Sequence, residues 1–190
     1  MNETNDRNGK IVIVSGPSGV GKSTICKEVA KQLKNVYISV SVTTRPRSQA
    51  EVDGQEYWFI SEDEFQQRIN KGSLLEYAEV FGNLYGTPRD KVEEELRRGR
   101  NVILEIDVQG AKQVRRINKD VVMIFIFPPS QRELAERMKL RGRDDAETAE
   151  DRLNGASGEI AAAWQYYKHM VINDDLQQAV SEVIEIIREN

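Results

Sequence analysis

Short apolar runs alternate along the chain with longer segments in which apolar residues recur at helical spacing. The runs at residues 11–14, 101–107 and 121–127 are rich in β-branched side chains, which is typical of strands buried on both faces of a parallel sheet. Near the end of the chain, a helical period predicts a closing amphipathic helix that buries Leu176, Ala179, Val180, Val183 and Ile187. We therefore expect an α/β fold with a three-layer parallel-sheet core.

Roughly residues 41–87 interrupt this alternation with a strand-rich segment. Residues 37–42 alternate between polar and apolar side chains and predict one half-buried strand, while residues 57–60 and 74–81 predict two more. A strand-rich stretch between the parts of an α/β core indicates an inserted subdomain. We expect this one to hold a substrate.

Two helix starts are visible in this segment, one near its middle and one at its end. Ser61 and Glu64 have the spacing of a capping box, in which each side chain pairs with the other residue's backbone N–H. Thr87 followed by Pro88 predicts another helix, with threonine as the N-cap and proline at the first helical position.

The first strand leads directly into a segment with the phosphate-loop pattern G-x-x-x-x-G-K-[ST]. Its residues are Gly16, Pro17, Ser18, Gly19, Val20, Gly21, Lys22 and Ser23, and Thr24 continues into a predicted helix. Glycines let successive backbone N–H groups point into one hollow, and the helix N-terminus adds unpaired donors and a positive dipole end. Lys22 can then reach the β- and γ-phosphates, and the Ser23 hydroxyl can bind Mg²⁺. The strand–turn–helix context favours a nucleotide phosphate site over a glycine-rich turn without a ligand.

Composition narrows the choice of partners. The chain of 190 residues has a net charge of −4, from 27 basic and 31 acidic residues, so we expect no nucleic-acid partner.

Cys26 is the only cysteine, which excludes an internal disulfide; together with the absence of a signal peptide, this predicts a cytoplasmic protein. The apolar stretches are too short to cross a bilayer, so we expect no membrane association. Anionic ligands must be bound by local clusters of arginine and lysine.

A phosphate loop alone does not name a reaction, since GTPases, ATPases and kinases all use one. A second charged region lies in the inserted segment, where Arg45 and Arg47 occur near Glu51 and Tyr57. Arginine and tyrosine side chains there suggest a second phosphate site, although a solvated loop with surface salt bridges would have the same composition. Two phosphate sites that face each other would indicate phosphoryl transfer between nucleotides.

From Ile11 to Ile187 the chain resembles the guanylate kinases, a family of nucleoside-monophosphate kinases. The resemblance rests on Ser15 to Thr24, Ser39-Val40-Ser41, Thr43-Thr44-Arg45, Glu51-Val52-Asp53-Gly54, Tyr57 to Phe59, Glu76, Ala78 to Asn83, Tyr85-Gly86-Thr87, Ile106-Asp107-Val108-Gln109-Gly110, Pro128-Pro129-Ser130, Arg141-Gly142 and Asn173-Asp174-Asp175-Leu176. So many motifs in one order are far more specific than the phosphate loop alone.

The resemblance implies a role for each candidate site residue. Four would hold the GMP phosphate, namely Arg45, Arg47, Tyr57 and Tyr85. Four would contact guanine, namely Ser41, Glu76, Thr87 and Glu105. The catalytic cations would be Lys22, Arg45, Arg137, Arg141 and Arg152, and Mg²⁺ would be bound by Ser23 and, through water, by Asp107. Guanine presents two adjacent donors, which a carboxylate such as Glu76 accepts as a pair.

One departure from the family concerns the arginine loop. Guanylate kinases usually space its two arginines as Arg-x-Pro-Arg, whereas this chain has the shorter Arg45-Pro46-Arg47. The distance to Glu51 is kept, so the loop must bulge if Arg47 is to reach the phosphate.

The resemblance also implies how the chain is organised. A single guanylate-kinase-like domain would span residues 1–190, with a core at about 10–40, 88–129 and 154–190, a GMP-binding subdomain at about 41–87, and a helical lid at about 130–153. It would phosphorylate GMP to GDP with ATP and Mg²⁺, in purine nucleotide metabolism and GMP recycling. We expect a monomer or a homodimer, and tolerance of dGMP stays open.

Two alternative functions stay open. Guanylate-kinase-like modules of scaffold proteins bind partner peptides without catalysis, although they do not need the intact Gly21-Lys22-Ser23. A kinase of the same fold could instead phosphorylate another monophosphate or a phosphorylated sugar. Two further expectations concern structure alone. Trp58 and Trp164 are expected in the core, and a solvated helix face is expected to carry Glu93, Glu94, Glu95, Arg97, Arg98 and Arg100.

Overall fold

A computed structural model describes residues 9–141 and 158–190, without the side chains of residues 139–141. The strands are β1 (Ile11–Ser15), β2 (Val36–Ile38), β3 (Val42–Thr43), β4 (Trp58–Phe59), β5 (Leu74–Val80), β6 (Asn83–Pro88), β7 (Asn101–Glu105), β8 (Val122–Phe127) and β9 (His169–Ile172). The helices are α1 (Lys22–Gln32), α2 (Glu62–Asn70), α3 (Arg89–Arg97), α4 (Val108–Ile117), α5 (Gln131–Arg141), α6 (residues 158–166) and α7 (Leu176–Glu189).

The main sheet is parallel, with the strand order β2-β7-β1-β8-β9. Its central strand β1 is buried along its whole length. Val12 and Val14 belong to the apolar cluster that contains α1 and α7, whereas Ile11 and Ile13 belong to the cluster on the other face, which contains residues of α3, α4 and α6. Because both faces are covered, every position of the strand is apolar or small. The predicted three-layer α/β core is confirmed.

A second sheet has the order β4-β3-β6-β5 and is mixed, with β3 and β4 parallel and β6 antiparallel to both of its neighbours. Val42, Phe65 and Leu74 form a small core of its own, to which α2 contributes Phe65. The Ser61 hydroxyl accepts a hydrogen bond from the Glu64 N–H at 3.2 Å, as the capping pattern predicts. This sheet lies within the predicted insertion, whose boundaries, like those of the whole domain scheme, remain a prediction.

The single strand predicted at residues 37–42 is wrong, because this stretch belongs to two sheets. β2 pairs with β7 in the main sheet, and the Ser39 N–H extends that pairing by donating to Ile103 O at 2.9 Å. Two residues later the backbone has changed partners, since Ser41 O accepts from the Trp58 N–H at 2.9 Å. Alternation of polar and apolar residues reports that each stretch has one buried face, but it does not report which sheet buries it.

The predicted N-cap at Thr87 is also wrong. Thr87 lies in β6, and the N-cap of α3 is Pro88, so proline precedes the first helical position rather than occupying it. The Thr87 hydroxyl donates instead to Glu76 Oε1 at 2.6 Å. A buried carboxylate therefore takes the donor that the pattern assigned to a helix end.

Three further expectations about burial are wrong. Glu95 is 2% exposed and is paired with Arg98 and Arg100, so the charged helix face includes a buried carboxylate. Trp58 and Trp164 are 46% and 70% exposed, so neither is a core residue. Cys26 is buried, and burial raises the pKa of its thiol.

The fold brings several functional stretches to one edge of the main sheet. In a parallel sheet all carboxyl ends meet at one edge, where ligands bind in open α/β folds. The phosphate loop follows β1, Ile106 and Asp107 follow β7, and α5 follows β8 after a short turn. Among residues 9–141 and 158–190, no helix has both the length and the apolar character needed to cross a membrane.

Candidate active site

The phosphate loop connects β1 to α1 and ends at Gly21, which is the N-cap of α1 with a φ of 105°. A glycine cap has no side chain, so the first N–H groups of the helix stay available to a ligand. The loop is held from behind by Asn173, whose Nδ2 donates to Val20 O at 2.7 Å. A Cβ atom on Gly21 would lie 2.4 Å from that nitrogen, so both the φ angle and the packing require glycine.

Lys22 lies across the loop. Its Nζ donates to Gly16 O at 2.6 Å and to Pro17 O at 3.0 Å. The next residue, Ser23, donates its hydroxyl to Glu105 Oε1 at 2.7 Å. The cation and the hydroxyl of the motif are therefore both held by oxygen acceptors, and Glu105 joins the loop to the carboxyl end of β7.

Arg45 lies in a polar and aromatic corner of the second sheet. Its Nη2 donates to Glu51 Oε1 at 2.7 Å, and its guanidinium carbon is 5.5 Å from the Tyr57 ring centroid. The Tyr57 and Tyr85 rings meet edge to face with centroids 5.7 Å apart, and Tyr85 also interacts with Arg45. Burial acts to raise the pKa of Glu51, but hydrogen bonds from Arg45 and Ser48 outweigh it and lower that pKa to about 2. Arg45 is therefore held by a permanent anion with its two tyrosines beside it.

Arg47 is placed differently from Arg45. Its Nη1 donates to the backbone oxygen of Glu51 at 3.1 Å, and Arg47 as a whole is exposed to solvent. The Ser48 N–H donates to Glu51 Oε2 at 3.0 Å. The shortened loop thus folds around Glu51. Arg45 donates to the carboxylate of this residue, whereas Arg47 donates to its backbone oxygen.

Glu76 is a deeply buried carboxylate of the candidate site, at 4% exposure. It accepts from the Thr87 hydroxyl through Oε1, while its Oε2 points at Gly110, where an added Cβ would lie only 2.2 Å away. Burial raises the pKa of Glu76 to about 7; the hydrogen bond from Thr87 lowers it, and the Asp107 carboxylate raises it. Gly110 therefore leaves space for one oxygen of an otherwise enclosed carboxylate. Ser41 lies just before β3, where it is half-buried.

Asp107 is the N-cap of α4. Its Oδ1 accepts from the Gly110 N–H at 2.8 Å, and its Oδ2 accepts from Gln109 Nε2 at 3.1 Å. It lies close enough to Glu76 to affect the pKa of that carboxyl. Two residues earlier, Glu105 bonds to Ser23. The roles predicted for these two residues, with Glu105 at the guanine and Asp107 near the metal, stay predictions.

Of the three predicted lid arginines, only Arg137 has a described side chain. Its Nη1 donates to Asn173 O at 3.0 Å, and its Nη2 lies 3.6 Å from a Glu133 oxygen. The Arg141 side chain and all of Arg152 lie outside the described residues, as do residues 142–153 of the predicted lid. Asn173 therefore contacts both the phosphate loop and the one lid arginine whose position is described.

Some residues at this edge were not predicted. Glu159 on α6 has a pKa raised to about 7 by burial, with Lys22 acting to lower it and Asp107 to raise it. Ser15 and Tyr167 form a buried hydrogen bond beneath the loop. No motif in the sequence signals Glu159 or Tyr167, because α6 is separated from the loop by most of the chain. Ser15 and Asn173 belong to stretches of the family resemblance, which alone could have drawn attention to them.

A phosphate loop at the end of the central parallel strand, with a second arginine and tyrosine site in an inserted sheet, defines the class of P-loop nucleotide kinases. The guanylate kinase family model matches residues 8–190. Guanylate kinase of Carboxydothermus hydrogenoformans is 45% identical over 175 residues, which are 92% of this chain and 85% of that protein. Guanylate kinase of Symbiobacterium thermophilum is 45% identical over 183 residues, covering 96% of this chain and 86% of the relative. The chain belongs to the guanylate kinase family.

The solved structures agree with this assignment. The crystal structure of guanylate kinase from Anaplasma phagocytophilum is similar with a TM-score of 0.81 and 34% sequence identity, and the match covers 97% of this chain and 87% of that one. The resemblance to the family that the motifs carry is thereby confirmed over nearly the whole chain.

The buried Glu76 generates a prediction about stability. Its pKa of about 7 in the folded protein lies above the usual 4.5, so the folded state binds an extra proton between these values and its unfolding free energy falls as pH rises through this window. Glu76→Gln removes the ionisable group and therefore this fall in the unfolding free energy. Relative to the unmodified protein, the free energy of unfolding of the variant should rise progressively from about pH 5 to about pH 8. A pKa difference of one unit between the folded and unfolded states corresponds to about 1.4 kcal/mol of this free energy.

Urea unfolding across this pH range measures the effect. The exposed Glu79 lies on the same strand, so Glu79→Gln serves as the control and should leave the pH profile unchanged. A Glu76→Gln profile parallel to that of the unmodified protein would contradict the raised pKa.

Proposed function

We propose that the protein transfers the γ-phosphoryl group of ATP to GMP, giving ADP and GDP, with Mg²⁺ bound alongside ATP. The observation that carries this proposal is the stretch from Glu105 to Asp107. Glu105 bonds to Ser23 of the phosphate loop, and Asp107 lies near Glu76 of the inserted sheet. Three consecutive residues therefore border both candidate nucleotide sites, as a transfer between two bound nucleotides requires.

The donor side is the loop from Gly16 to Ser23, with Thr24 on the first turn of α1. Backbone N–H groups and the α1 N-terminus favour the ATP phosphates. Lys22 already lies over the loop with its Nζ on two carbonyl oxygens. On ATP binding it would exchange those neutral acceptors for charged phosphate oxygens, with which charge-assisted hydrogen bonds are stronger.

The acceptor side is the inserted sheet. Arg45 is held between Glu51 and two tyrosines, so Arg45, Tyr57 and Tyr85 would bind the GMP phosphate with little further ordering. Arg47 would join them by leaving the backbone oxygen of Glu51. Glu76 would accept the paired donors of guanine, with Ser41 and Thr87 beside it. Adenine has no such pair of donors, so this carboxylate favours guanine.

The two carboxylates at the carboxyl end of β7 contact different parts of the site, one on the ATP side and one on the GMP side. Because Glu105 bonds to Ser23, we propose that Glu105 serves the metal side rather than guanine. Because Asp107 borders Glu76 and Gly110, we propose that it helps read guanine rather than the metal. This exchanges the roles that the family resemblance implies for these two residues.

The donor set fits Mg²⁺. The Ser23 hydroxyl and the Glu105 carboxylate are hard oxygen ligands, which this ion prefers, and Mg²⁺ usually takes its remaining ligands from water and substrate phosphates. Within residues 9–141 and 158–190 no cluster of three or more metal-binding side chains is present, which agrees with a site completed by the nucleotide. When bound, the ion would neutralise charge that builds up between the β- and γ-phosphates.

Arginines from the lid side would complete the site. Arg137 on α5 is held by Asn173 O, within reach of the same loop that Asn173 contacts. We propose that Arg137, Arg141 and Arg152 stabilise the transferring phosphoryl group. A closing lid would also exclude water, which would otherwise accept that group. Cytoplasmic location, the choice between monomer and homodimer and the use of dGMP stay predictions.

A coupled ADP-release assay with ATP and GMP, AMP, UMP or dTMP tests the function. We expect turnover with GMP and little with the others. Lys22→Met should lower kcat on the order of a hundredfold or more, because it removes a cation from the transition state, while GMP binding by calorimetry is retained.

Lys27→Met is the matched control for that assay, since Lys27 lies on α1 with an exposed side chain. Near-normal turnover of Lys22→Met would contradict the phosphate-loop assignment. Turnover of a different monophosphate would favour the other-kinase alternative, and peptide binding without any turnover would favour the binding module.

A second prediction separates the two carboxylates. Glu105→Gln should raise the Mg²⁺ concentration needed for half-maximal rate on the order of tenfold, with little change in GMP KM. Asp107→Asn should raise GMP KM and narrow the discrimination against AMP, while asparagine still caps α4. Steady-state rates over a matrix of Mg²⁺ and GMP concentrations measure both, and the opposite pattern would restore the roles that the resemblance implies.

A third prediction concerns the two loop arginines. Arg45→Lys keeps a cation next to Glu51 but loses the planar fork, so GMP KM should rise on the order of tenfold. Arg47→Ala should raise it less, because Arg47 starts from an exposed position.

GMP affinity at low and high salt provides the measurement for the arginine variants. Arg68→Ala is the control, since Arg68 is a partly buried arginine of α2 that is paired with Glu64. An Arg47→Ala protein with unchanged affinity would show that Arg47 is not a phosphate ligand.

A further inference from the structure

A buried chain of hydrogen bonds lies beneath the candidate active site. The Tyr167 hydroxyl donates to Ser15 Oγ at 2.8 Å, and the Ser15 hydroxyl donates to Ile106 O at 2.7 Å. Ser15, Tyr167 and Ile106 are 0%, 5% and 8% exposed. Each hydroxyl has one proton to donate, so the order of donors is fixed by the final acceptor, the Ile106 carbonyl.

This chain of hydrogen bonds connects β1 and β7 where the pairing between these two strands has ended. The register between β1 and β7 runs from Ile11↔Val102 to Val14↔Glu105. One residue further along each strand, the Ser15 side chain provides the link to Ile106 that the backbone ladder no longer provides. The two strands therefore stay joined up to the point where each turns into a functional loop.

Both ends of the Ser15–Ile106 bond adjoin site residues. Ser15 directly precedes Gly16, the first residue of the phosphate loop. Ile106 stands between Glu105, which bonds to Ser23, and Asp107, which borders Glu76. A shift of the Ile106 peptide would therefore move both carboxylates relative to the loop.

Tyr167 is well suited to hold this bond in place. Its ring packs edge to face on Phe125 of β8, with centroids 5.2 Å apart, so its hydroxyl has a defined direction. Its hydrogen bond orients the Ser15 hydroxyl, which would otherwise be free to rotate away from Ile106. Because the site is buried, water cannot easily replace a lost partner.

We propose that Tyr167 is a positioning residue that acts through Ser15 to hold Glu105 and Asp107 in register with the phosphate loop. Tyr167 touches neither nucleotide site directly in this proposal. It supports the proposed kinase function by fixing geometry, and small displacements of reacting groups have large effects on rate. The proposal rests on the proposed function for its kinetic part, and its binding part depends on the phosphate loop and on the metal role proposed for Glu105.

The test compares Tyr167→Phe with Tyr166→Phe. Both changes remove one hydroxyl from adjacent residues, but Tyr166 is 38% exposed and its ring lies against Lys112. We expect Tyr167→Phe to raise the Mg²⁺ concentration required for ATP binding several-fold, by calorimetry at fixed ATP, and to lower kcat with GMP on the order of tenfold. Tyr166→Phe should match the unmodified protein in both measurements.

A double-substitution cycle separates positioning from general loss of structure. If Tyr167 acts through Ser15, its substitution should have little further effect on kcat or on Mg²⁺-dependent ATP binding in a Ser15→Ala background. Effects that simply add, or a Tyr167→Phe protein indistinguishable from Tyr166→Phe, would overturn the proposal. A rate loss that merely follows the unfolded fraction, measured by thermal melting at the assay temperature, would overturn it as well.

The ATP-binding measurement keeps this test distinct from the proposed function. If the unmodified protein binds ATP with Mg²⁺ but does not phosphorylate GMP, the proposed function fails, and the positioning role is still decided by the binding cycle. If GMP is phosphorylated and the cycle shows no coupling, the positioning role fails alone.

Discussion

Burial of β1 between two apolar layers is the constraint on which the rest of the structure depends. A strand paired on both edges and covered on both faces leaves polar groups no room except at its ends. The chain must change character there, and at the carboxyl end it becomes the phosphate loop. The same constraint on β7 places Glu105 and Asp107 at the neighbouring strand end. The apolar core thereby gathers the charged chemistry at one edge of the sheet.

The inserted sheet depends on this edge rather than on a large core of its own. Its buried apolar cluster is small, and its functional side chains are held mainly by polar contacts. Glu51 holds Arg45, Thr87 holds Glu76, and Gly110 of the main domain leaves room for the Glu76 carboxylate. Such a pocket is specified by hydrogen-bond partners, and its buried acid has a raised pKa, which is a cost in stability once the acid is ionised.

Much of the fold could be predicted from the sequence, because periodicity reports burial directly. The parallel core and the phosphate loop follow from apolar runs and glycine spacing. Which sheet buries a given stretch depends on distant partners, so the predicted strand at residues 37–42 was divided between two sheets. The roles of Glu105 and Asp107 depend on side-chain direction at a strand end, which spacing alone does not determine. Tyr167 carries no motif, since its importance comes from one hydrogen bond to a residue far away in the chain.

The Asn173 contact has a consequence for how the protein is made. The loop it supports is synthesised early, whereas Asn173 follows the last strand of the sheet. A nascent chain on the ribosome therefore holds a phosphate loop without its support until β9 has emerged and paired with β8. The phosphate loop accordingly gains this support late, when the C-terminal segment docks.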